Sequence, residues 1–130
     1  MTSDAVTVGL TAEAHSDLQR LKDVGIFGDM LDGYRFAIAL AIRRGLIASE
    51  DLKASTIFNV GSLDRDGLIK DMVMTLFHEA AVRPYAFAER LAEAGVRELT
   101  QLYDSGQLRF ADLFGSAIEK PSSSQGDKDT

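Results

Sequence analysis

The longest apolar run in the chain covers residues 36–42, read FAIALAI, and it lies in the middle of a predicted helix. Asp29 is placed to cap the start of this helix, and Gly45 is placed as the left-handed residue that ends it. The last turn carries two arginines, whose positive charge complements the helix dipole. Because the run leaves no polar face, the helix at 30–44 is expected to be buried on several sides.

A monomer of 130 residues has few other helices to surround such an element, so a subunit interface is the economical explanation. Ala37 and Ala41 lie one turn apart and would let another backbone approach closely. We therefore expect the chain to form a homo-oligomer, such as a homodimer, through this helix. The predicted interface residues are Tyr34, Phe36, Ala37, Ile38, Leu40, Ala41 and Ile42.

Upstream of this helix, the pattern predicts a strand and then another helix. Residues 5–10 alternate between larger apolar residues on one side and small residues on the other, which is typical of a short strand. A lone strand is not stable, so it must pair with another strand of this chain or of a second copy. Thr11 is a favourable N-cap for a helix over residues 12–23.

Downstream, residues 56–63 could form a second short strand or an extended loop, and a loop is favoured. Ser62 or Asp64 then caps an amphipathic helix over 65–81, and a proline begins a last helix over 84–103. The apolar face predicted for the helix at 65–81 consists of Leu68, Ile69, Met72, Val73, Leu76, Phe77, Ala80 and Ala81.

The expected fold is mainly α, with a short N-terminal strand followed by four main helices that intertwine in an oligomer through the apolar helix. Residues 1–118 should form a single helical domain, in which 108–114, read LRFADLF, docks on the core. Residues 119–130 are rich in serine and charge, have little to bury, and are expected to be disordered.

The amino-acid composition excludes several kinds of functional site. The chain has no cysteine and only two histidines, which excludes disulfides, thiolate catalysis and cysteine-based zinc sites and argues against a histidine-rich metal site. No apolar run is long enough to span a bilayer and the start does not resemble a signal peptide, so a cytoplasmic location is expected. The net charge of −6 opposes strong nonspecific binding to nucleic acid.

No catalytic set is found among the polar residues. His78 and Glu79 begin a zinc-protease motif, but Val82 stands where the second histidine is needed. Asp64 and Asp66 could act as an acid–base pair under a cleft, although a helix start explains them better. We therefore expect a non-enzymatic protein without a cofactor.

The basic residues are candidate contacts for a partner, and each also has a structural explanation. Arg43 and Arg44 could contact a phosphate or an acidic partner, although the dipole of their helix is a sufficient reason for them. Arg35 is more unusual, because it lies in the most apolar helix, and Asp32 is its local candidate partner. The last helix should carry a favourable i,i+4 pair, formed by Glu93 and Arg97.

Residues 5–45 resemble ribbon-helix-helix proteins in the order and spacing of the strand VTVGL, the helix from Thr11, the glycine turn and the helix containing YRFAIAL. In that family, two copies pair their strands into a ribbon whose outward side chains read DNA. The outward positions here would be Ala5, Thr7 and Gly9, of which only Thr7 can hydrogen-bond to a base. The same region resembles small helical accessory proteins of bacterial DNA phosphorothioation and related defence operons.

Two functions follow as hypotheses. The first is a non-catalytic oligomeric accessory or scaffold protein, with a protein partner from a prokaryotic operon that handles DNA. The alternative is a DNA-binding transcriptional regulator or antitoxin of the ribbon-helix-helix type. A weaker third hypothesis is a small-ligand or enzyme site in a pocket between the helices at 65–81 and 84–103. The candidate contacts to nucleic acid or a partner are Thr7, Arg35, Arg43 and Arg44.

Overall fold

The structure, a computed structural model, describes residues 4–109. Within that range the chain forms a two-stranded antiparallel sheet, five helices and one 3₁₀ turn. In chain order the elements are β1 Thr7–Leu10, α1 Ala12–Asp23, α2 Met30–Arg44, β2 Ser55–Asn59, α3 Val60–Leu63, α4 Leu68–Leu76, the 3₁₀ turn His78–Ala80 and α5 Pro84–Asp104. The mainly helical class and the short N-terminal strand are confirmed.

The caps predicted for the first two helices are confirmed. The Thr11 hydroxyl accepts a hydrogen bond from the backbone N–H of Ala14 at 3.2 Å, which starts α1. The Asp29 carboxylate accepts from the N–H of Asp32 at 2.8 Å, which starts α2. Gly45 ends α2 with a left-handed backbone, at a φ of 69°.

The apolar helix α2 is covered largely within one chain. It packs mainly on α5 and also on α1. On the side of the sheet, Tyr34 meets Phe58 of β2 edge to face, with ring centres 5.3 Å apart. The idea that one chain has too few helices to cover α2 is therefore wrong. Of the seven predicted interface residues, five are buried in this chain's own core and two are half-buried: Tyr34, Ala37, Ile38, Leu40 and Ala41, then Phe36 and Ile42.

The closest approach between helices lies where α5 crosses α2. A Cβ atom added at Gly95 would overlap the backbone of Ala37, so only glycine allows this crossing without a shift. The expectation that Ala37 lets another backbone approach closely is confirmed. The neighbour is α5 of the same chain.

The strand β1 pairs with β2 of the same chain, which is one of the two partners that the sequence left open. The pairing is antiparallel, with Val8 opposite Phe58, and its register shifts between Val8 and Gly9. The loop favoured for residues 56–63 is therefore wrong, because β1 offers the first half of that segment a partner edge. The second half is the short helix α3.

The predicted helix at 65–81 is shorter than expected. Gly67 adopts a left-handed backbone at a φ of 75°, so α4 begins only after it. The N-cap residue of α4 is thus Gly67, and neither Ser62 nor Asp64 holds the predicted cap position. Asp64 still satisfies the first turn, since its two oxygens accept from the N–H groups of Ile69 and Lys70 at 2.8 and 2.9 Å. The last helix is confirmed, with Pro84 in its first turn.

Two sequence predictions reach beyond the described residues. The segment 108–114 is described only at its first two positions, where Leu108 is half-buried and packs against the core. The tail 119–130 lies wholly outside the described range.

Candidate functional site

The most exposed apolar surface on a helix lies on α4. Leu68 is 67% exposed and Leu76 is 55% exposed, although both were predicted to face the core. Met72 lies between them and is half-buried. These three residues follow one another at i, i+4 and i+8, so they share one face of the helix, and we call them the α4 stripe.

The prediction for Leu68 and Leu76 is wrong for a geometric reason. Adjacent residues on a helix point about 100° apart. With Val73 buried against the neighbouring elements, Leu68 points about 140° away from it, and Leu76 occupies the last position of α4, where the helix ends. The sequence contained a sign of this exposure, because its apolar residues come in adjacent pairs such as Leu68 and Ile69. A helix that buries only one side needs a narrower apolar stripe than such pairs create.

A groove of about 310 Å³ lies beside the α4 stripe, between α2 and α4. Ile38 of α2 and Met72 of α4 contribute apolar side chains to it, and Leu68 stands at its edge. We call this feature the α2–α4 groove. Its complete lining is Arg35, Ile38, Leu63, Asp64, Arg65, Asp66, Leu68, Ile69 and Met72.

Arg35 builds one wall of this groove. Its Nε and Nη2 atoms donate to the carbonyls of Leu63 and Ser62, each at 3.0 Å, at the end of α3. The predicted pairing with Asp32 is also present, at 3.4 Å between Nη1 and Oδ1. A cation suits the carbonyl end of a helix, so Arg35 holds α3 against α2.

The other candidate contact residues do not join Arg35 in one basic patch. Arg44 pairs with Glu98 of α5, with 2.6 Å between Nη1 and Oε2. The hydroxyl of Thr7 lies 3.1 Å from that of Thr56 on the neighbouring strand. Arg43 is exposed at the end of α2. The structure brings only Arg35 and Ile38 of the predicted site residues into the α2–α4 groove.

Two acids of α5 fasten the N-terminal segment. Glu93 is fully buried, and its oxygens accept from the backbone N–H of Thr11 at 3.0 Å and from its hydroxyl at 2.7 Å. The predicted pair with Arg97 is confirmed, at 2.9 Å. One turn earlier, Glu89 accepts from the N–H of Gly9 at 2.9 Å. Burial raises the pKa of the Glu89 carboxyl, and the Gly9 hydrogen bond only partly opposes this.

A second polar cluster joins the starts of α4 and α5. Asp4 accepts from the backbone N–H groups of Tyr85 and Ala86, at 2.8 and 3.1 Å, and so caps α5. The Tyr85 hydroxyl donates to Asp64 at 2.8 Å. Burial, helped by this hydrogen bond, raises the pKa of Tyr85 to about 12. Asp64 is thus occupied at a helix start, as the sequence indicated, and no acid–base pair with Asp66 is needed to explain it.

The search for metal-binding clusters in the described residues and the comparisons with known proteins do not point to a function. Over residues 4–109, the acids and histidines form no group of three that could hold a metal ion. None of the helices in that range combines the length and apolar character needed to cross a membrane. No family model, no curated protein and no solved structure matches this chain. The exposed α4 stripe beside the α2–α4 groove is therefore the candidate functional site.

Proposed function

We propose that this protein is a non-catalytic accessory protein that acts as a homo-oligomer through the α4 stripe and the α2–α4 groove. The observation that carries the proposal is the 67% exposure of Leu68 beside an apolar groove. Contiguous exposed apolar surface is costly in water and marks interaction sites. The interface proposed here therefore lies at the edge of α2 and on α4, and not at the centre of α2 as the sequence predicted.

A second copy is the occupant that this surface fits. In a twofold dimer the same patch faces itself, so a protruding side chain needs a groove on the same patch. Leu68 supplies the protrusion, and the adjacent groove of about 310 Å³ supplies the recess. Arg65 and Asp66 line the same groove, so opposite charges can meet across the twofold axis.

The hydrogen bonds of the buried acids support a non-catalytic role. Glu93 and Asp64, the two charged residues that are buried within residues 4–109, both hold elements of the fold together through hydrogen bonds. A general acid or base needs a proton-transfer position that a substrate can reach. The proposal extends to a protein partner from a prokaryotic operon that handles DNA, following the family resemblance. Co-expression with the proteins of neighbouring genes, followed by co-purification, tests that extension.

The oligomer is tested by light scattering coupled to size-exclusion chromatography. The concentration should run from about 1 to about 100 µM, which covers weak and moderate dimers. We expect the unmodified chain to dimerise and Leu68→Glu to be monomeric, because the change puts a charge at the centre of the interface. Met74→Glu is the matched control, since Met74 is an exposed apolar residue on another face of α4.

Circular dichroism should show that both variants keep the helical content of the unmodified chain. If the unmodified chain stayed monomeric over the whole concentration range, the proposal would be overturned. Equal dimerisation by Leu68→Glu and Met74→Glu would move the interface away from the α4 stripe.

A further inference from the structure

A second cavity, separate from the α4 stripe, lies along the first half of α5. Arg83, Phe87 and Arg90 follow one another at i, i+4 and i+7, so they share one face of this helix. The loop after α2 and the 3₁₀ turn lie across from them and enclose about 400 Å³. A smaller cavity of about 200 Å³ adjoins it and shares Phe87 and Arg90. We call the two together the Arg90 cleft.

Arg90 is fixed in position at the junction of the two cavities. Its Nε donates to the carbonyl of Ala48 at 2.9 Å, and the Ala48 N–H donates back to the carbonyl of Arg90 at 3.1 Å. The guanidinium also lies over the ring of Phe87, 5.4 Å from its centre. The side chain therefore needs little further ordering to bind a ligand.

The acid nearest to Arg90 holds it weakly. Its Nη1 atom lies 3.9 Å from Glu50, whose side chain is 88% exposed. An exposed pair at that distance contributes little to stability, so a ligand carboxylate can replace it at little cost. A guanidinium presents two parallel N–H groups to a carboxylate, which makes such a ligand the best match in geometry and charge.

The smaller cavity is lined largely by apolar side chains, so a ligand that enters it needs an apolar part. Phe77 and Phe87 stack in its wall with ring centres 4.9 Å apart. Leu46, Ile47 and Leu91 complete the apolar lining. Glu50 and Glu79 also line this cavity, but both are exposed and can turn to solvent, whereas Arg90 is fixed by its hydrogen bond to Ala48. Such a site fits an amphiphilic anion, whose body lies on the apolar wall while its charge meets the arginine.

The remaining charges limit the charge of that anion. Glu50, Glu79 and Glu89 also line the larger cavity, and Arg83 is its second cation. Three carboxylates around two arginines repel a phosphate or a nucleotide more strongly than a single carboxylate. The positive charge of Arg83 acts on Glu89, and Glu50 and Glu79 are exposed, so Arg90 is the cation of the cleft that a hydrogen bond to Ala48 holds in place.

We propose that the Arg90 cleft binds a small organic monocarboxylate with an apolar body, its carboxylate on Arg90 and its body against Phe77 and Phe87. This site is independent of the oligomer proposed above. The probe is 3-phenylpropionate, followed by nitrogen–proton NMR spectra of the labelled full chain. Saturable shifts should centre on residues 46–52 and on the first half of α5. The corresponding amide should bind about tenfold more weakly or worse, because it lacks the charge.

Two variants locate the site. Arg90→Gln removes the charge but keeps a donor for Ala48, and it should weaken binding about tenfold or more. Ile47→Glu places a charge at the apolar end from a position that is 41% exposed, and it should weaken binding similarly without disturbing the core. Lys70→Gln is the control and should bind as the unmodified chain does, because Lys70 is an exposed residue of α4 that lines neither the cleft nor the α2–α4 groove.

The test also has outcomes that overturn the proposal. No saturable shifts at carboxylate concentrations of about 10 mM would do so, since a millimolar dissociation constant is the weakest that such a pocket implies. Equal binding of the amide, or tighter binding of 3-phenylpropylamine, would assign recognition to other groups. If Arg90→Gln proves unfolded by circular dichroism, full binding by Ile47→Glu would alone refute the site.

Discussion

The buried carboxylate of Glu93 gives the sharpest prediction for stability. It accepts from the backbone N–H and the hydroxyl of Thr11, at 3.0 and 2.7 Å, and pairs with Arg97 at 2.9 Å. Replacement by alanine leaves both donors of Thr11 without this acceptor at the junction of β1 and α1. It also leaves a cavity where the side chain was wholly enclosed.

The size of the effect follows from these losses. Removing one partner of a buried charged pair costs about 3–5 kcal/mol, and each buried donor left unpaired costs about 1–3 kcal/mol. The side chain of Arg97 is 58% exposed and can return to water, which places the expected loss near the lower end. We expect Glu93→Ala to lower the free energy of unfolding by about 3 kcal/mol, a large part of the 5–15 kcal/mol typical of a domain.

Urea denaturation followed by circular dichroism measures this loss. Glu98→Ala is the matched control, because Glu98 also lies on α5 and also pairs with an arginine, Arg44, at 2.6 Å. That pair is partly exposed, so its loss should cost only about 0–1 kcal/mol. If the two variants lost the same free energy, the reasoning from the burial of Glu93 would be refuted.

Three further changes test other parts of the fold. Gly95→Ala should lower the melting temperature, because the new Cβ meets the backbone of Ala37. Overpacking of this kind costs about 1–3 kcal/mol, whereas the gain in helix propensity is about 1 kcal/mol. A higher melting temperature would contradict the tight crossing. Glu89→Gln should gain stability relative to the unmodified chain as the pH rises through the range above the ordinary glutamate pKa of 4.5. Burial raises the pKa of Glu89 in the folded state, so the folded chain holds its proton longer and loses stability as that proton leaves; urea titrations at several pH values measure the difference, and a pH-independent one would count against it. Asp4→Ala should cost about 0.5–2 kcal/mol and speed amide exchange of Tyr85 and Ala86, because it removes the cap of α5; unchanged exchange would show that the cap is not needed.

The helices could be predicted where local signals begin and end them. Thr11 and Asp29 cap through hydrogen bonds that span three residues, and Gly45 ends α2 through its own backbone. Such contacts depend on neighbouring residues in the sequence, so the sequence contains them. The bounds of α1, α2 and α5 were accordingly predicted to within a residue or two.

The parts of the fold that could not be predicted depend on contacts between distant parts of the chain. The strand β2 forms because β1 lies beside it, and nothing in residues 56–63 alone separates a strand from a loop. Glu93 reads as one half of an i,i+4 surface pair until the junction at Thr11 covers it. Sequence also shows how apolar α2 is without showing what covers it. The candidate site was missed for the same reason, since the exposure of Leu68 depends on how α4 lies over the core.

The crossing of α2 and α5 has a consequence for how the protein is made. During synthesis α2 leaves the ribosome well before α5, whose Gly95 supplies the surface on which Ala37 packs. Until then the most apolar segment of the chain lacks its main cover, and the N-terminal strand lacks the carboxylates that hold Gly9 and Thr11. The domain can therefore complete this packing only after α5 has emerged, and the nascent chain before that point exposes more apolar surface and is more prone to aggregation.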